Sequence, residues 1–273
     1  MGKFQRPRAS RARFDRRDHD MRIVVKVGTS TLAHPTGRLN IQRMEKLCKV
    51  LSDLKNMGHE IILVSSGAIA MGFGKLNLSE RPKDVPTKQA SAAVGQCELM
   101  YIYDKLFTEY NHTVAQLLIT APDIEEGGVR KQNFHNTLAR LLELGALPVI
   151  NENDTISTEE FGIGDNDTLS AIVATSVRAD LLVLLSDIDG LYDSNPKENP
   201  EARMIPEVTQ EILDGVSSDE DVDDVTGGVS NKMEAMLRMC SPDRDCVLVN
   251  GTVPGRLLSL LKGEEVTCTV ARM

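Results

Sequence analysis

Short apolar runs alternate along this chain with longer segments in which apolar residues recur every three or four positions. The first pattern is typical of buried strands, and the second of helices that pack one face on a sheet. Predicted strands lie at 23–28, 61–64, 114–119, 147–150, 181–185, 246–249 and 266–270. Predicted helices lie at 41–54, 88–110, 131–144, 168–176, 232–239 and 254–261. Since short helical crossovers join parallel strands, this order predicts an α/β protein, a three-layer α/β/α sandwich with a mainly parallel central sheet.

Turns rich in Gly, Ser, Asn and Asp follow four of the predicted strands, at 28–30, 65–68, 151–154 and 186–190. Because the carboxyl ends of parallel strands share one edge of the sheet, these turns are predicted to line one cleft. The first strand also carries Lys26 within an otherwise apolar run. An ammonium in a strand covered on both faces needs an anionic partner or ligand, whereas a lysine on an edge strand would reach solvent. The recurrence of polar turns favours a ligand site.

The composition narrows the class of protein. Of the 273 residues, 41% are apolar, which is ample for a buried core. A net charge of −9, no Trp and only 4% aromatic residues argue against nucleic-acid binding. No apolar run approaches the roughly 20 residues that a bilayer crossing needs. The five cysteines and five histidines show no zinc-site or disulfide spacing, which predicts a protein of the reducing cytoplasm with no structural zinc.

Two segments differ from the rest in charge. Residues 1–20 contain six Arg and one Lys against three Asp, and they predict a disordered basic extension, with an organellar transit peptide as the alternative. The acidic run 214–224 predicts a solvated surface loop. No clean linker interrupts 21–273, so this range is predicted to form one unit with two lobes.

Common phosphate-binding motifs are absent from the sequence: it has no G-x-x-x-x-G-K-[ST], no G-x-G-x-x-G after the first strand, and no H-R-D or D-F-G. The run GFGK at 72–75 is predicted to be a loop. A different arrangement for phosphate remains, with Lys26 before GTS at 28–30 and Lys232 after TGGVSN at 226–231. Paired glycines before a helix offer backbone N–H groups to an anion. Each piece alone is also compatible with ordinary turn and capping chemistry, but together they predict a phosphoryl-transfer site.

These motifs resemble the amino-acid kinase family over about residues 21–265, and they occur in the order found in that family. The resemblance rests on VVKVGTS (24–30), VSSGAIA (64–70), NEND (151–154), GDND (164–167), LSDIDGLY (185–192) and TGG (226–228) with Lys232. The NEND and GDND pair is similar to the branch of the family that phosphorylates glutamate. The resemblance implies the amino-acid kinase fold, with an acceptor lobe at about 21–178 and a nucleotide lobe at about 179–273. It also implies that the C-terminal RNA-modification-type (PUA) domain of many bacterial members is missing.

The activity that the resemblance implies is ATP-dependent phosphorylation of the glutamate side-chain carboxylate, with Mg²⁺, to γ-glutamyl 5-phosphate, the first step of proline synthesis. It further implies feedback inhibition by proline and a dimeric or tetrameric assembly. The implied catalytic residues are Lys26, Lys232 and Asp167, with Asp165 as a second candidate. The implied glutamate-binding residues are Ser66, Gly67, Asp154 and Asn166. The implied nucleotide-binding residues are Lys26, Gly28, Ser186, Asp187, Thr226, Gly227, Gly228, Val229, Ser230, Asn231 and Lys232.

Elementary chemistry agrees with a carboxylate acceptor. A carboxylate is already ionised at pH 7, so it needs no general base, and no histidine lies in one of the motifs. The obstacle is the repulsion between a carboxylate and the γ-phosphate of a nucleotide. Positive charge on both sides of the transferring group reduces that repulsion, and Lys26, Lys232 and Mg²⁺ are expected to supply it.

Two alternatives stay open at this point. A related kinase with another acceptor, such as acetylglutamate, aspartate or carbamate, shares the fold and both lysines, although the acceptor motifs favour glutamate. A catalytically silent amino-acid sensor is the alternative from another class. It is suggested by departures from the usual family pattern at Val225, Val229 and Asn231 and in the acidic run 214–224. The presence of both Lys26 and Lys232 argues against it.

Overall fold

The computed structural model describes residues 20–34, 36–120, 123–124, 128–157, 166–194, 199, 201–217, 225–241 and 244–271. An eight-stranded sheet runs through this part of the chain in the order β3-β4-β2-β1-β5-β9-β10-β8. Its strands are β1 (Arg22–Val27), β2 (Glu60–Ser65), β3 (Val114–Ile119), β4 (Leu147–Glu152), β5 (Leu181–Ser186), β8 (Glu207–Val208), β9 (Asp245–Asn250) and β10 (Cys268–Ala271). A separate two-stranded ribbon consists of β6 (Leu191–Tyr192) and β7 (Met204–Ile205). The neighbours in the large sheet are parallel except β9 and β10, which are antiparallel.

Helices cover both faces of the sheet, as the alternation of side chains along β1 shows. Ile23, Val25 and Val27 belong to one hydrophobic cluster, and Val24 belongs to the other. The described helices are α1 (Thr29–Leu32), α2 (Ile41–Asn56), α3 (Ala68–Lys75), α4 (Val85–Thr108), α5 (Val129–Glu143), α6 (Asn166–Ser176), α7 (Gln210–Ser217), α8 (Val225–Met239) and α9 (Gly255–Leu261). Residues of α2, α4 and α9 complete the first cluster, and residues of α5, α6 and α8 complete the second. The predicted three-layer α/β/α class with a mainly parallel sheet is confirmed.

Side chains cap the start of α2, which was predicted at 41, and the start of α4, which lies at Val85 and not at the predicted 88. The side chain of Asn40 accepts a hydrogen bond from the backbone N–H of Arg43 and so caps α2. The chain leaves α2 through Gly58, whose φ of +102° lies in the left-handed region that favours glycine. Asp84 caps α4 in the same way as Asn40 caps α2, by accepting from the N–H of Thr87. Within the described residues, no helix combines the length and apolarity that a bilayer crossing requires.

The prediction of a loop at 72–75 is wrong, because this run lies within α3. The glycines of the run make close packing possible. A Cβ added to Gly72 would lie 1.7 Å from the carbonyl oxygen of Ser91, and one added to Gly95 would lie 1.7 Å from that of Ala68. Helices α3 and α4 therefore cross with their backbones in contact, and glycine serves helix packing here rather than a turn.

Two further predictions differ from the structure in detail. The helix predicted at 232–239 begins seven residues earlier, at Val225, so the glycine pair 227–228 lies inside its first turns and not before it. The last strand runs antiparallel to β9 and begins at Cys268. Residues 214–217 of the acidic run belong to α7, so the prediction of a loop is wrong for that part. Residues 1–19 and 218–224 lie outside the described residues, and the predictions for them stay predictions.

Candidate active site

A cleft of about 890 Å³ opens at the carboxyl ends of β4, β2, β1 and β5, which are neighbours in the sheet. The four turns that the sequence predicted to share one edge of the sheet all contribute to it. The predicted site residues that line the cleft are Lys26, Gly28, Ser66, Gly67, Asp154, Asn166, Asp167, Ser186, Asp187 and Lys232.

One buried carboxylate joins the two lysines. Asp167, in the first turn of α6, is 2% exposed, and its Oδ1 atom lies 2.5 Å from Lys26 Nζ. Its Oδ2 atom lies 3.0 Å from Lys232 Nζ, which α8 brings to the cleft. Lys26 is 7% exposed because β1 is a central strand covered on both faces. The ammonium groups from the two halves of the chain are therefore held at fixed positions by one side chain.

The electrostatics of this trio favour an anionic ligand. Burial alone would raise the pKa of Asp167, but the charges of Lys26 and Lys232 outweigh burial and hold that pKa below its usual range. The carboxylate is thus ionised at neutral pH, and two ammonium groups against one carboxylate leave one net positive charge within this trio. A phosphate group has the opposite charge, and the low dielectric of a buried site strengthens the attraction.

The end of the cleft that the sequence predicts to hold the acceptor is formed by the turn after β2 and the start of α6. Asn166 Nδ2 donates to Ser66 Oγ at 2.8 Å and to Asn151 Oδ1 at 3.0 Å. Gly67, between Ser66 and α3, has a φ of +108°, which a residue with a side chain rarely adopts. This turn therefore places Ser66 against Asn166, although the two residues are a hundred positions apart in the sequence.

A second acidic group faces the same end of the cleft. Burial, together with the neighbouring charge of Glu152, raises the pKa of Asp154 to about 6. Glu152 itself accepts a hydrogen bond from Ser157 Oγ at 2.7 Å. A carboxylate with a raised pKa gains most from a cationic partner, so this position suits the ammonium group of an amino acid.

The nucleotide end of the cleft is described in part. Ser186 and Asp187, at the end of β5, line it, and Gly28 lies beside Lys26, where a Cβ would be 3.8 Å from the ammonium. The backbone of 226–231 forms the first turns of α8. The roles predicted for these residues stay predictions, and Asp165 lies outside the described residues.

The cleft also contains basic residues to which the sequence assigned no role, namely His34, Arg81 and Lys88. Arg81 precedes α4 and Lys88 lies in its first turns. In the sequence, Arg81 and Lys88 stand out only by lying around the start of a predicted helix, and many surface residues share such a position. Asn151 and Glu152 belong to the NEND motif, yet the sequence singled out only Asp154 from it.

The described residues contain no group of three or more His, Cys, Asp or Glu side chains that could hold a metal ion. Mg²⁺ is often bound through one or two carboxylates together with the phosphates of a substrate. Asp187 lines the cleft and is a carboxylate of that kind. The residues present are therefore compatible with a magnesium ion that arrives with a nucleotide.

An α/β/α fold in which a strand and a helix bring two lysines to one carboxylate defines a phosphotransferase-like site. The model of the amino acid kinase family matches residues 21–250, so the chain belongs to that family. It is 49% identical over 255 residues to glutamate 5-kinase of Clostridium perfringens (strain 13 / Type A), covering 90% of this chain and 93% of that protein. It is 46% identical over 251 residues to glutamate 5-kinase of Listeria innocua serovar 6a, covering 90% of this chain and 91% of the relative.

Solved structures agree on the fold. The isopentenyl phosphate kinase substrate complex superposes with a TM-score of 0.65 at 21% identity, over 92% of this chain and all of that one. At this level of identity the likeness supports the fold alone. The choice of acceptor rests on the sequence relatives and on the cleft.

Proposed function

We propose that the chain transfers the γ-phosphoryl group of ATP to the side-chain carboxylate of L-glutamate, forming γ-glutamyl 5-phosphate for proline synthesis. The arrangement that carries this proposal is Asp167 between Lys26 and Lys232, next to a pocket with Ser66, Asn166 and Asp154. Relatives at 45–49% identity that bear the name glutamate 5-kinase support glutamate as the acceptor.

The reaction needs no proton transfer from a protein base. A carboxylate oxygen of glutamate forms a bond to the γ-phosphorus while the bond from that phosphorus to the bridging oxygen of ADP breaks, and the electron pair leaves with ADP. Lys26 and Lys232 reduce the repulsion between the carboxylate and the phosphates because their ammonium groups are held in place before the substrates arrive. Asp167 keeps both lysines oriented.

Magnesium is part of the proposal. A magnesium ion held with the nucleotide would supply positive charge against the phosphates. Asp187 is the residue of the cleft that we expect to assist in holding it. Removal of the ion with a chelator should stop turnover without unfolding the chain, since the described residues form no group of three or more His, Cys, Asp or Glu side chains that could hold a structural metal ion.

The test is a screen of acceptors with ATP, in which hydroxylamine traps any acyl phosphate as a hydroxamate. L-Glutamate, L-aspartate, N-acetylglutamate and carbamate are compared on the wild-type chain. Lys232→Met removes one ammonium of the site, and Lys105→Met, an exposed lysine on α4, is the matched control. We expect hydroxamate from glutamate with the wild type and the control, and a loss of about 10²-fold or more in Lys232→Met.

Other outcomes of the screen would assign the chain a different acceptor or no catalytic activity. A better hydroxamate yield from N-acetylglutamate or aspartate would assign the chain to a different acceptor. For carbamate, the readout is ADP release. A folded chain that binds glutamate but consumes no ATP with any acceptor would be an amino-acid sensor. Feedback inhibition by proline and a dimeric or tetrameric assembly follow from the family resemblance, and a cytoplasmic location follows from the dispersed cysteines. All three stay predictions.

A further inference from the structure

Three side-chain amides form a buried chain from the interior of α4 to the acceptor end of the cleft. Gln96, on α4, is 7% exposed, and Asn151, in β4, is 2% exposed. Asn151 Nδ2 donates to Gln96 Oε1 at 2.9 Å, and Asn166 Nδ2 donates to Asn151 Oδ1 at 3.0 Å. Asn166 also donates to Ser66 Oγ at 2.8 Å. Gln96 does not line the cleft but is linked to residues that do.

A backbone group fixes which way each amide points. The N–H of Glu152 donates to Asn151 Oδ1 at 2.9 Å, and a backbone N–H can only donate. The atom that it contacts must therefore be the amide oxygen of Asn151. Gln96 must then present its oxygen to the amide nitrogen of Asn151, and Asn166 must present its nitrogen to the oxygen.

The orientation of Asn166 decides what the pocket offers a ligand. Both hydrogens of its amide are used, on Ser66 and on Asn151, while its Oδ1 atom is buried without a hydrogen-bond partner in the described part of the chain. Asn166 can therefore only accept from a ligand. Ser66 Oγ already accepts from Asn166, so its own hydroxyl proton is available for donation. If Asn166 were flipped, Ser66 would donate to Asn166 instead.

We infer that the chain of Gln96, Asn151 and Asn166 sets the hydrogen-bond polarity of the acceptor pocket, with an acceptor at Asn166 for the substrate ammonium and a donor at Ser66 for a carboxylate. Gln96 is then a positioning residue for glutamate, and this rests on the proposed function. Its own Nε2 atom is buried without a partner among the described residues, so Gln96 supports Asn151 at the cost of an unmade hydrogen bond.

The polarity can be tested on the wild-type chain with two analogues that differ at one atom. The hydroxyl of 2-hydroxyglutarate can donate to Asn166, whereas the keto oxygen of 2-oxoglutarate can only accept and would face another acceptor. A site built to receive a donor rejects an analogue that lacks one. We expect the inhibition constant of 2-oxoglutarate against glutamate to exceed that of 2-hydroxyglutarate by about tenfold or more. Equal constants would overturn the assigned polarity.

Variants of Gln96 test its part in the network. Gln96→Met keeps the length of the side chain but leaves Asn151 Nδ2 buried without an acceptor, so Asn151 and Asn166 are free to turn. We expect the glutamate KM to rise about tenfold and the ratio of the two inhibition constants to fall below about threefold. Gln96→Glu keeps an oxygen acceptor at the same place and should stay within about threefold of the wild type in both measurements.

A control separates positioning from a general loss of stability. Leu99 is fully buried on the same helix, and Leu99→Ala should lower the melting temperature while leaving the glutamate KM and the inhibitor ratio unchanged. If Gln96→Met behaves like Leu99→Ala, Gln96 is structural only and the inference fails while the proposed function stands. If the wild-type chain neither binds nor phosphorylates glutamate, the proposed function and the inference both fail. If Gln96→Met does not fold, the inhibitor ratio of the wild type and the glutamate KM of Gln96→Glu still decide whether the inference stands.

Discussion

Replacing Asp167 by Asn is the sharpest test of the bridging carboxylate. The substitution keeps the shape of the side chain and removes the charge that lies 2.5 Å from Lys26 and 3.0 Å from Lys232. Two ammonium groups would then face each other in a buried site with no counter-charge from position 167. One of them would tend to lose its proton, which lowers the positive charge available to the phosphates.

The expected size of the effect follows from the distances and the burial. At an effective dielectric of about 20, each ion pair contributes about 6 kcal/mol of gross attraction, most of which the desolvation of the charges offsets. Breaking a buried pair typically costs 3–5 kcal/mol. Because the amide oxygen of Asn can still accept from one lysine, we expect Asp167→Asn to lower the free energy of unfolding by about 3 kcal/mol and kcat by about 10²-fold.

The assays are urea unfolding and hydroxamate formation, with Glu143→Gln as the control. That substitution removes a charge from an exposed pair with Arg140 and should change neither measurement. Since the pKa of Asp167 is lowered in the folded state, its stabilisation is present above the unfolded value of about 3.9 and is lost as the pH falls through the folded pKa. The difference in stability between wild type and Asp167→Asn should therefore shrink below about pH 4. A variant with kcat within threefold of the wild type would refute the positioning role.

Three further predictions concern the same cleft and its support. Lys26→Ala and Lys232→Ala should each lower kcat by about 10²–10³-fold, with a much smaller effect on the glutamate KM, in steady-state assays. Asp154→Asn should raise the glutamate KM by about 10- to 100-fold. Because only ionised Asp154 attracts the ammonium, the wild-type KM should rise as the pH falls below about 6, and this dependence should vanish in Asp154→Asn. Gly72→Ala should lower the thermal midpoint because its methyl group meets the backbone of α4, whereas Gly255→Ala, with nothing within 4 Å, should not.

Seven of the ten described strands were predictable because each is a short apolar run between turn residues, whereas the two-residue strands β6, β7 and β8 were not predicted. The prediction at 114–119 coincides with β3, and the prediction at 181–185 differs from β5 by one residue. The prediction of a loop at 72–75 failed because two glycines in a short run resemble a turn locally. In the structure, Gly72 meets the backbone of Ser91 and Gly95 on another helix, and Gly74 meets the backbone of Gly37. A local pattern contains neither contact.

The candidate site was predictable as a set of residues but not as an arrangement. The family motifs and the turns at the strand ends predicted that Lys26 and Lys232 lie at one edge of the sheet. That Asp167 bonds to both depends on the packing of α6 over β1 and of α8 against α6, which the sequence pattern does not specify. The role of Gln96 could not be predicted from the sequence, and the reason is related. It lies among small and apolar residues within a long helix, and its importance comes from Asn151, a contact across 55 positions of the chain.

The meeting of Lys26 and Lys232 at one carboxylate also has a consequence for how the protein acquires activity during folding. These lysines are more than two hundred positions apart, and β1 pairs on one side with β5, which is synthesised much later. Contacts between distant parts of a chain form slowly because the intervening loop must close first. Helical structure can therefore return early in refolding, whereas the ability to hold a phosphate between the two lysines must wait for the central strands to pair. Recovery of turnover would then report the completion of the whole domain.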